Sequence, residues 1–236
     1  MNFEYPTHEG KILKRYKRFF ADIELESGEI VTAHTPNTGS MKTCWEPGWK
    51  AFITHNDNPK RKLKYTLEMT HNGQSWIGVN TSRPNHIAKE AIESGVVKEL
   101  QGYQSIKPEF KVGNSRIDLL LYNGELKSPE KSCFVEVKNV TLKGEGTLAL
   151  FPDGVSERGQ KHLKELMDLV DKGHQAAMLF IVQREDVDSF SPAHEIDPEY
   201  AKLLIQAKDK GVMILAYRCA LSKSSITLKD KLAIKL

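Results

Sequence analysis

Two domains are predicted, a small all-β domain followed by a mixed α/β sheet flanked by helices. Three observations predict them. Short segments of alternating polarity, broken by turn residues, fill residues 11–79. Helical periodicity and unbroken apolar strands take over after residue 84. A chain of 236 residues, 39% hydrophobic and 28% charged, has enough apolar content for two packed cores. The texture changes at Thr81-Ser-Arg-Pro84, so the domains are expected at 1–82 and 83–236.

In order, strand-like segments run over residues 11–25, 29–34, 49–55, 63–70 and 75–79. Ser27-Gly28, Asn37-Thr-Gly39, Pro47-Gly48, Asn58-Pro59 and Asn72-Gly73 separate them, and the last is a strong hairpin signal. Five short strands with a basic face fit an OB-like barrel, although strand number alone does not exclude other small β folds. Pro84, with Ile87, Ala88, Ala91 and Ile92 at helical spacing and Gly95 as the stop, predicts a helix. Strands follow at 105–112, 116–122 and 133–138. Ser156 is read as the N-cap of a helix closing at Gly173, with Leu163, Leu166, Met167 and Val170 on its apolar face. Residues 176–182 form a buried strand, Asp197-Pro198 opens a helix that stops at Gly211, and 212–219 is a further buried strand.

Composition excludes disordered, collagen-like and disulfide-scaffold chains. The three cysteines, Cys44, Cys133 and Cys219, lie far apart without a Cys-x-x-Cys pair and are read as buried thiols. The longest apolar run, residues 176–182, is seven residues, against the roughly 20 a membrane helix needs. The first residues hold an acid and a proline where a leader would be basic then apolar. A cytoplasmic protein without a membrane partner is the expectation.

Net charge is only +3, from 34 Lys and Arg against 31 Asp and Glu, but its placement is informative. Lys11, Lys14, Arg15, Lys17 and Arg18 crowd one stretch and Lys60, Arg61, Lys62 and Lys64 another, both free of acids; the first is interleaved with apolar and aromatic residues and the second runs into the alternating Leu63, Tyr65, Leu67 and Met69. Two such clusters in one small domain suit phosphate contact with base stacking. A lysine-protected strand edge is the alternative. Trp45 and Trp49 are read as core or stacking residues. The polar loop Pro36-Asn-Thr-Gly-Ser-Met41 is read as a plain turn or as a phosphate-binding loop.

Two apolar strands carry acids that a buried sheet does not tolerate unpaired: Asp118 in Arg116-Ile-Asp-Leu-Leu-Leu-Tyr122 and Glu136 in Cys133-Phe-Val-Glu-Val-Lys138. On neighbouring strands they would converge on one hard divalent cation. Lys138 shares the face of Glu136, where an ammonium would hold the attacking water and offset charge developing on a phosphate. Asp118, Glu136 and Lys138 are therefore the expected catalytic residues, with Asp118 and Glu136 as metal ligands. A salt-bridged sheet edge is the competing reading. Gly154-Val-Ser-Glu-Arg-Gly159 has the glycine spacing of a P-loop but continues Gln160-Lys161 where Lys then Ser or Thr is required. No serine-hydrolase elbow or zinc-protease helix motif occurs.

The strand Ser115-Arg-Ile-Asp118, the strand Phe134-Val-Glu-Val-Lys138 and the helices around them resemble the PD-(D/E)xK nuclease superfamily, with Ile117 where that superfamily usually has Pro. Almost the whole chain resembles the sugar fermentation stimulation protein family. The matching blocks include Lys14-Arg-Tyr-Lys-Arg-Phe19, Pro36-Asn-Thr-Gly-Ser-Met41, Glu99-Leu-Gln-Gly-Tyr103, Phe151-Pro-Asp153, Glu157-Arg-Gly-Gln-Lys-His-Leu163 and Ile214-Leu-Ala-Tyr217. The resemblance implies an OB-like domain joined to a restriction-endonuclease-like one. It also implies DNA binding with little sequence preference and a link to the regulation of sugar, notably maltose, use. A Mg²⁺- or Mn²⁺-dependent DNA phosphodiesterase is one expected function and a non-catalytic DNA-binding regulator the other, with homodimer formation left open. By the same resemblance Glu90 supplies a further acid, or else is a solvent-facing helix residue, and Glu109 is a comparable candidate. Arg158, Gln160 and Lys161, at the start of the helix after the Glu-x-Lys strand, would orient a phosphate or form a solvated first turn. His162, lacking a partner His, is read as a surface or supporting residue.

Overall fold

The computed structural model describes residues 1–112 and 115–236. The first segment read as one strand is two. β1 (Thr7–Tyr16) and β2 (Phe20–Leu25) fold back through Lys17, Arg18 and Phe19, with Tyr16 opposite Phe20. The turn has no Gly or Asn; Lys17 and Arg18 themselves take left-handed φ angles of 48° and 62°, at a cost of about 1–2 kcal/mol each. β3 (Ile30–His34), β4 (Lys50–His55) and β5 (Tyr65–His71) complete the barrel. β1 pairs with β2 and β4, β2 with β3, β4 with β5, and a short parallel contact of Ala33 and His34 with Tyr65 and Thr66 closes the ring. This is the five-stranded OB barrel. Alternation fills it: Ile12, Ile23, Ala33, Ile53 and Leu67 point inward and are fully buried. β6 (Trp76–Gly78) lies outside the ring, joined to β5 through Asn72-Gly73, where Gly73 has φ 91°.

Helix α1 (Pro84–Glu93) opens the second domain. Its six-stranded sheet holds β7 (Ser105–Val112), β8 (Ser115–Glu125), β9 (Ser128–Val140), β12 (Gln175–Val182), β14 (Met213–Leu221) and β15 (Ile226–Lys231), in the order β15-β14-β12-β9-β8-β7. The centre is parallel and both flanks antiparallel. Helix α2 (Glu157–Asp171) and helix α3 (Pro198–Asp209) cover one face, where Leu163, Leu166 and Leu204 pack on Phe180 and Phe134. α1 covers the other through Ile87, Ala88 and Ala91 against Leu119, Val135 and Val137. Both long helices start at a side-chain cap: Ser156 Oγ accepts from the Gly159 N–H at 3.1 Å and Asp197 Oδ1 from the Tyr200 N–H at 2.9 Å. A second sheet of β10 (Leu142–Lys143), β11 (Leu148–Phe151), β13 (Ser189–Pro192) and β16 (Ala233–Ile234) was not expected from the sequence, nor was β15. No described helix is long and apolar enough to cross a membrane.

The domains share one interior. Phe52 and Met69 of the barrel are buried in the same cluster as Ile87 and Val137. Arg184, 1% exposed, donates across the junction to the Thr43 carbonyl at 3.3 Å and within its own domain to the Thr141 carbonyl at 2.7 Å, while Asp186 takes its other nitrogens at 2.7 and 2.9 Å.

Candidate metal centre and nucleic-acid surface

Asp118 and Glu136 meet where the β8–β9 ladder ends, just past Leu119 opposite Val135. There the Asp118 carboxylate substitutes for a backbone partner: Oδ2 accepts the Val137 N–H at 2.8 Å, and Oδ1 accepts from Asn85 in the first turn of α1, also at 2.8 Å. Glu136 is 2% exposed. Its Oε1 accepts from Lys138 Nζ at 2.6 Å and contacts His162 Nδ1. Its Oε2 is buried with no hydrogen-bond partner.

The two carboxyls titrate in opposite directions. Burial, reinforced by the charge on Glu136, pushes Asp118 above its ordinary value. Burial acts on Glu136 in the same sense, but the His162 hydrogen bond and the Lys138 ammonium outweigh it and hold Glu136 below its ordinary value. The site thus leaves one unpartnered buried oxygen beside a carboxylate that is costly to ionise. Hard oxygen donors in that state fit a divalent cation.

His162 belongs to this group, so the surface reading is corrected: it is buried on α2, its Nδ1 3.1 Å from Lys138 Nζ. Arg158 Nε donates to His162 Nε2 at 3.4 Å, which leaves Nδ1 carrying the hydrogen that faces Glu136. The helical spacing His162, Leu163, Leu166, Leu169 places the histidine on the buried face, a signal present in the sequence that a search for paired histidines passes over. Tyr200 is a further residue that sequence reasoning missed. It is wholly buried with an unpartnered hydroxyl, and burial, with the charges of Glu136 and Asp197, raises its phenol.

The other expected site residues are engaged elsewhere. Glu90 pairs with the Met1 amine at 2.6 Å, beside β15. Glu109 lies exposed on β7 with φ 54° and approaches Arg116 at 3.6 Å. Gln160 donates to Asp197 Oδ1 at 2.9 Å, joining the starts of α2 and α3, and Lys161 pairs with Glu165 at 3.5 Å. Among the described residues no three His, Cys, Asp or Glu side chains converge as a metal-binding group. A cation held by Asp118 and Glu136 would complete its shell from water or substrate.

Both basic clusters lie at one end of the barrel. The first is the β1–β2 turn and the end of β1. The second, Lys60 to Lys64, lies in the loop between β4 and β5, which reaches two residues into the strand expected from residue 63. Phe20 pairs with His34, and His34 with Thr66, so β3 brings the two loops side by side. One arginine in each organises its loop. Arg15 Nη2 lies against the carbonyls of Arg18, Asn37 and Gly39 at 3.0, 2.8 and 3.1 Å. Arg61 donates to the Leu63 carbonyl at 3.1 Å and Thr66 Oγ1 at 2.7 Å. Both were expected to contact phosphate; each is half-buried and spends these hydrogen bonds on protein oxygens. Lys17, Arg18, Lys60 and Lys62 face solvent and pair with no described acid, while exposed Lys14 lies 3.2 Å from Asp22.

Comparison with known proteins gives a consistent result. The model described as "SfsA N-terminal OB domain" matches residues 13–79, and that described as "Sugar fermentation stimulation protein RE domain" matches residues 82–225. A sugar fermentation stimulation protein homolog of Geotalea uraniireducens is 53% identical over 237 residues, covering 100% of both chains. One of Geotalea daltonii is 54% identical over 226 residues, covering 95% of each. The solved structure of Pyrococcus furiosus SfsA in complex with Ca²⁺ aligns with a TM-score of 0.86 at 31% identity, covering 100% of this chain and 98% of that one.

Proposed function

This chain belongs to the sugar fermentation stimulation protein family, and we propose that it is a DNA-binding protein of low sequence preference that cleaves phosphodiester bonds with Mg²⁺ or Mn²⁺. The observation that carries the catalytic part is the buried Oε2 of Glu136, which has no hydrogen-bond partner while Oε1 takes Lys138. Asp118 and Glu136 would hold the cation. The Pyrococcus furiosus relative was solved in complex with Ca²⁺, an ion of the same hard, oxygen-seeking class. Bound there, the cation supplies Lewis acidity toward a phosphoryl group. Lys138 orients the attacking water and offsets charge developing on the phosphoryl oxygens. His162 fixes Glu136 through Oε1. The barrel's Lys14, Lys17, Arg18, Lys60 and Lys62 neutralise phosphates without reading bases, on the loops through which OB barrels commonly take oligonucleotides.

A second reading is a regulator of sugar use that binds DNA without cutting it. It is favoured by the direct Lys138–Glu136 ion pair, which already neutralises the charge on both groups without a metal, and by the name the relatives carry. Cleavage of plasmid and branched DNA separates the two. With Mg²⁺ or Mn²⁺ the parent should cut, and EDTA, Asp118→Ala or Lys138→Ala should abolish cutting. Gel shifts without cutting on any substrate would overturn the nuclease and leave the regulator.

A further inference from the structure

We propose that the cleft between the barrel and the second domain holds an unpaired base, with Phe19 as its stacking surface, so that the protein prefers DNA with unpaired bases to continuous duplex. This rests on the DNA-binding reading above and narrows its substrate. The cleft, about 370 Å³, has Arg15, Arg18, Gly39 and Ser40 on the barrel side and Asp153 and Gly154 on the other. Phe19 directly follows Arg18 and is 46% exposed; Val155 directly follows Gly154 and is 71% exposed. One exposed apolar side chain is ordinary. Two, each next in the chain to a residue that lines the cleft from opposite sides, with Arg18 in the lining and Lys17 beside it in the chain, suit a ligand with an apolar face and an anionic tether.

Asp153 narrows that ligand further. A carboxylate in a groove meant for backbone alone would repel phosphate, whereas a base edge offers exocyclic amino groups that a carboxylate accepts. Asp153 Oδ2 already receives Ser40 Oγ at 3.3 Å, and a Cβ on Gly39 would come within 2.6 Å of that oxygen. The two walls therefore meet at a glycine. The space is of small-ligand size, within roughly 300–1,000 Å³, enough for a base and too small for a base pair with both backbones. In duplex the base faces are covered by stacking, so an aromatic platform gains only from a base outside the stack.

The test is fluorescence anisotropy in EDTA with a labelled single-stranded oligonucleotide, its matched duplex, and a duplex carrying a single-stranded tail. The parent should bind the strand and the tailed duplex more tightly than the blunt duplex. Phe19→Ala should remove that preference, weakening single-strand binding on the order of tenfold with duplex binding unchanged, and Phe19→Trp should retain it. A 2-aminopurine in the unpaired position should be quenched by the parent and Phe19→Trp but not by Phe19→Ala. Paired Lys17→Ala and Arg18→Ala substitutions should weaken all three DNAs together. Equal parent affinity for strand and duplex, or a Phe19→Ala effect that is absent or uniform, overturns the inference while the lysine and arginine result keeps DNA binding standing. A parent that binds none of the three overturns both.

Discussion

Glu68 and Glu136 are both strand glutamates sealed from solvent, at 0% and 2% exposure, and they are treated in opposite ways. Around Glu68 every acceptor is used: Oε1 takes Thr54 Oγ1 at 2.9 Å and Arg83 Nη2 at 2.7 Å, and Oε2 takes Asn80 Nδ2 at 2.9 Å and Arg83 Nε at 3.1 Å. Asn80 and Arg83 sit in the connection between the domains, so this closed network fixes how the chain enters α1. Glu136 has two donors crowded on one oxygen and none on the other. A buried carboxylate left half satisfied is expensive unless a ligand completes it. The comparison separates a carboxylate whose acceptors are all used from one left with an open oxygen.

The largest expected effect tests that separation directly. Lys138→Ala should reduce metal-dependent cleavage at least about 10²-fold, with a smaller loss in urea denaturation than Arg83→Ala because His162 stays on Glu136. Arg83→Ala should do the reverse, costing about 3–5 kcal/mol of stability by stranding Glu68 while the folded fraction cuts normally. Equal loss of activity and stability in both variants would break the comparison.

A smaller effect is expected from Asp186, whose side chain is 7% exposed and whose oxygens, like those of Glu68, are both engaged. Burial acts to raise its pKa, but hydrogen bonds and charge from Arg184, with Lys143, outweigh this and hold it well below the usual carboxylate range. The folded value lies below the unfolded one, so its contribution is present above the ordinary carboxylate pKa and is lost as pH falls through the folded value. Acid unfolding should steepen below about pH 4, and Asp186→Asn should flatten that limb; an unchanged acid limb would count against the clamp. The smallest effect lies in the β1–β2 turn. Arg18→Gly should relieve its left-handed φ of 62°, raising stability by about 0.5–1 kcal/mol while lowering the salt dependence of DNA binding by about one phosphate contact. A less stable Arg18→Gly would show that the side chain holds the turn.

The fold class was legible because patterning and caps agree. Ile12, Ile23 and Ile53 alternate with polar neighbours, and Ser156 and Asp197 announce α2 and α3. What escaped did so for identifiable reasons. The β1–β2 turn is built from Lys17 and Arg18, residues with no turn preference, so two strands read as one. The strands β10, β11, β13 and β16 are two to four residues long, too short to establish a period. The alternation of Leu63, Tyr65, Leu67 and Met69 suggested a strand from residue 63, yet β5 starts at Tyr65 and Lys60 to Lys64 form a loop, with Arg61 bonding back onto Leu63 and Thr66. Asp118, Glu136 and Lys138 were visible as charges in apolar strands, and the structure places them together. The helical spacing of His162 with Leu163, Leu166 and Leu169 marks it as buried, but that it and Tyr200 face Glu136 follows only from the packing of α2 and α3 on the sheet, which no local pattern encodes.

The most direct test is calorimetric titration of Mn²⁺ into the parent, Glu136→Gln and Glu68→Gln, with thermal unfolding alongside. The parent should bind one ion per chain, and at a free concentration near a hundredfold the dissociation constant the folded state should gain about 2.7 kcal/mol. Binding should vanish in Glu136→Gln and persist in Glu68→Gln. A parent that takes up no ion, or a Glu136→Gln variant that binds as the parent does, would contradict the reading of Glu136 as an open site.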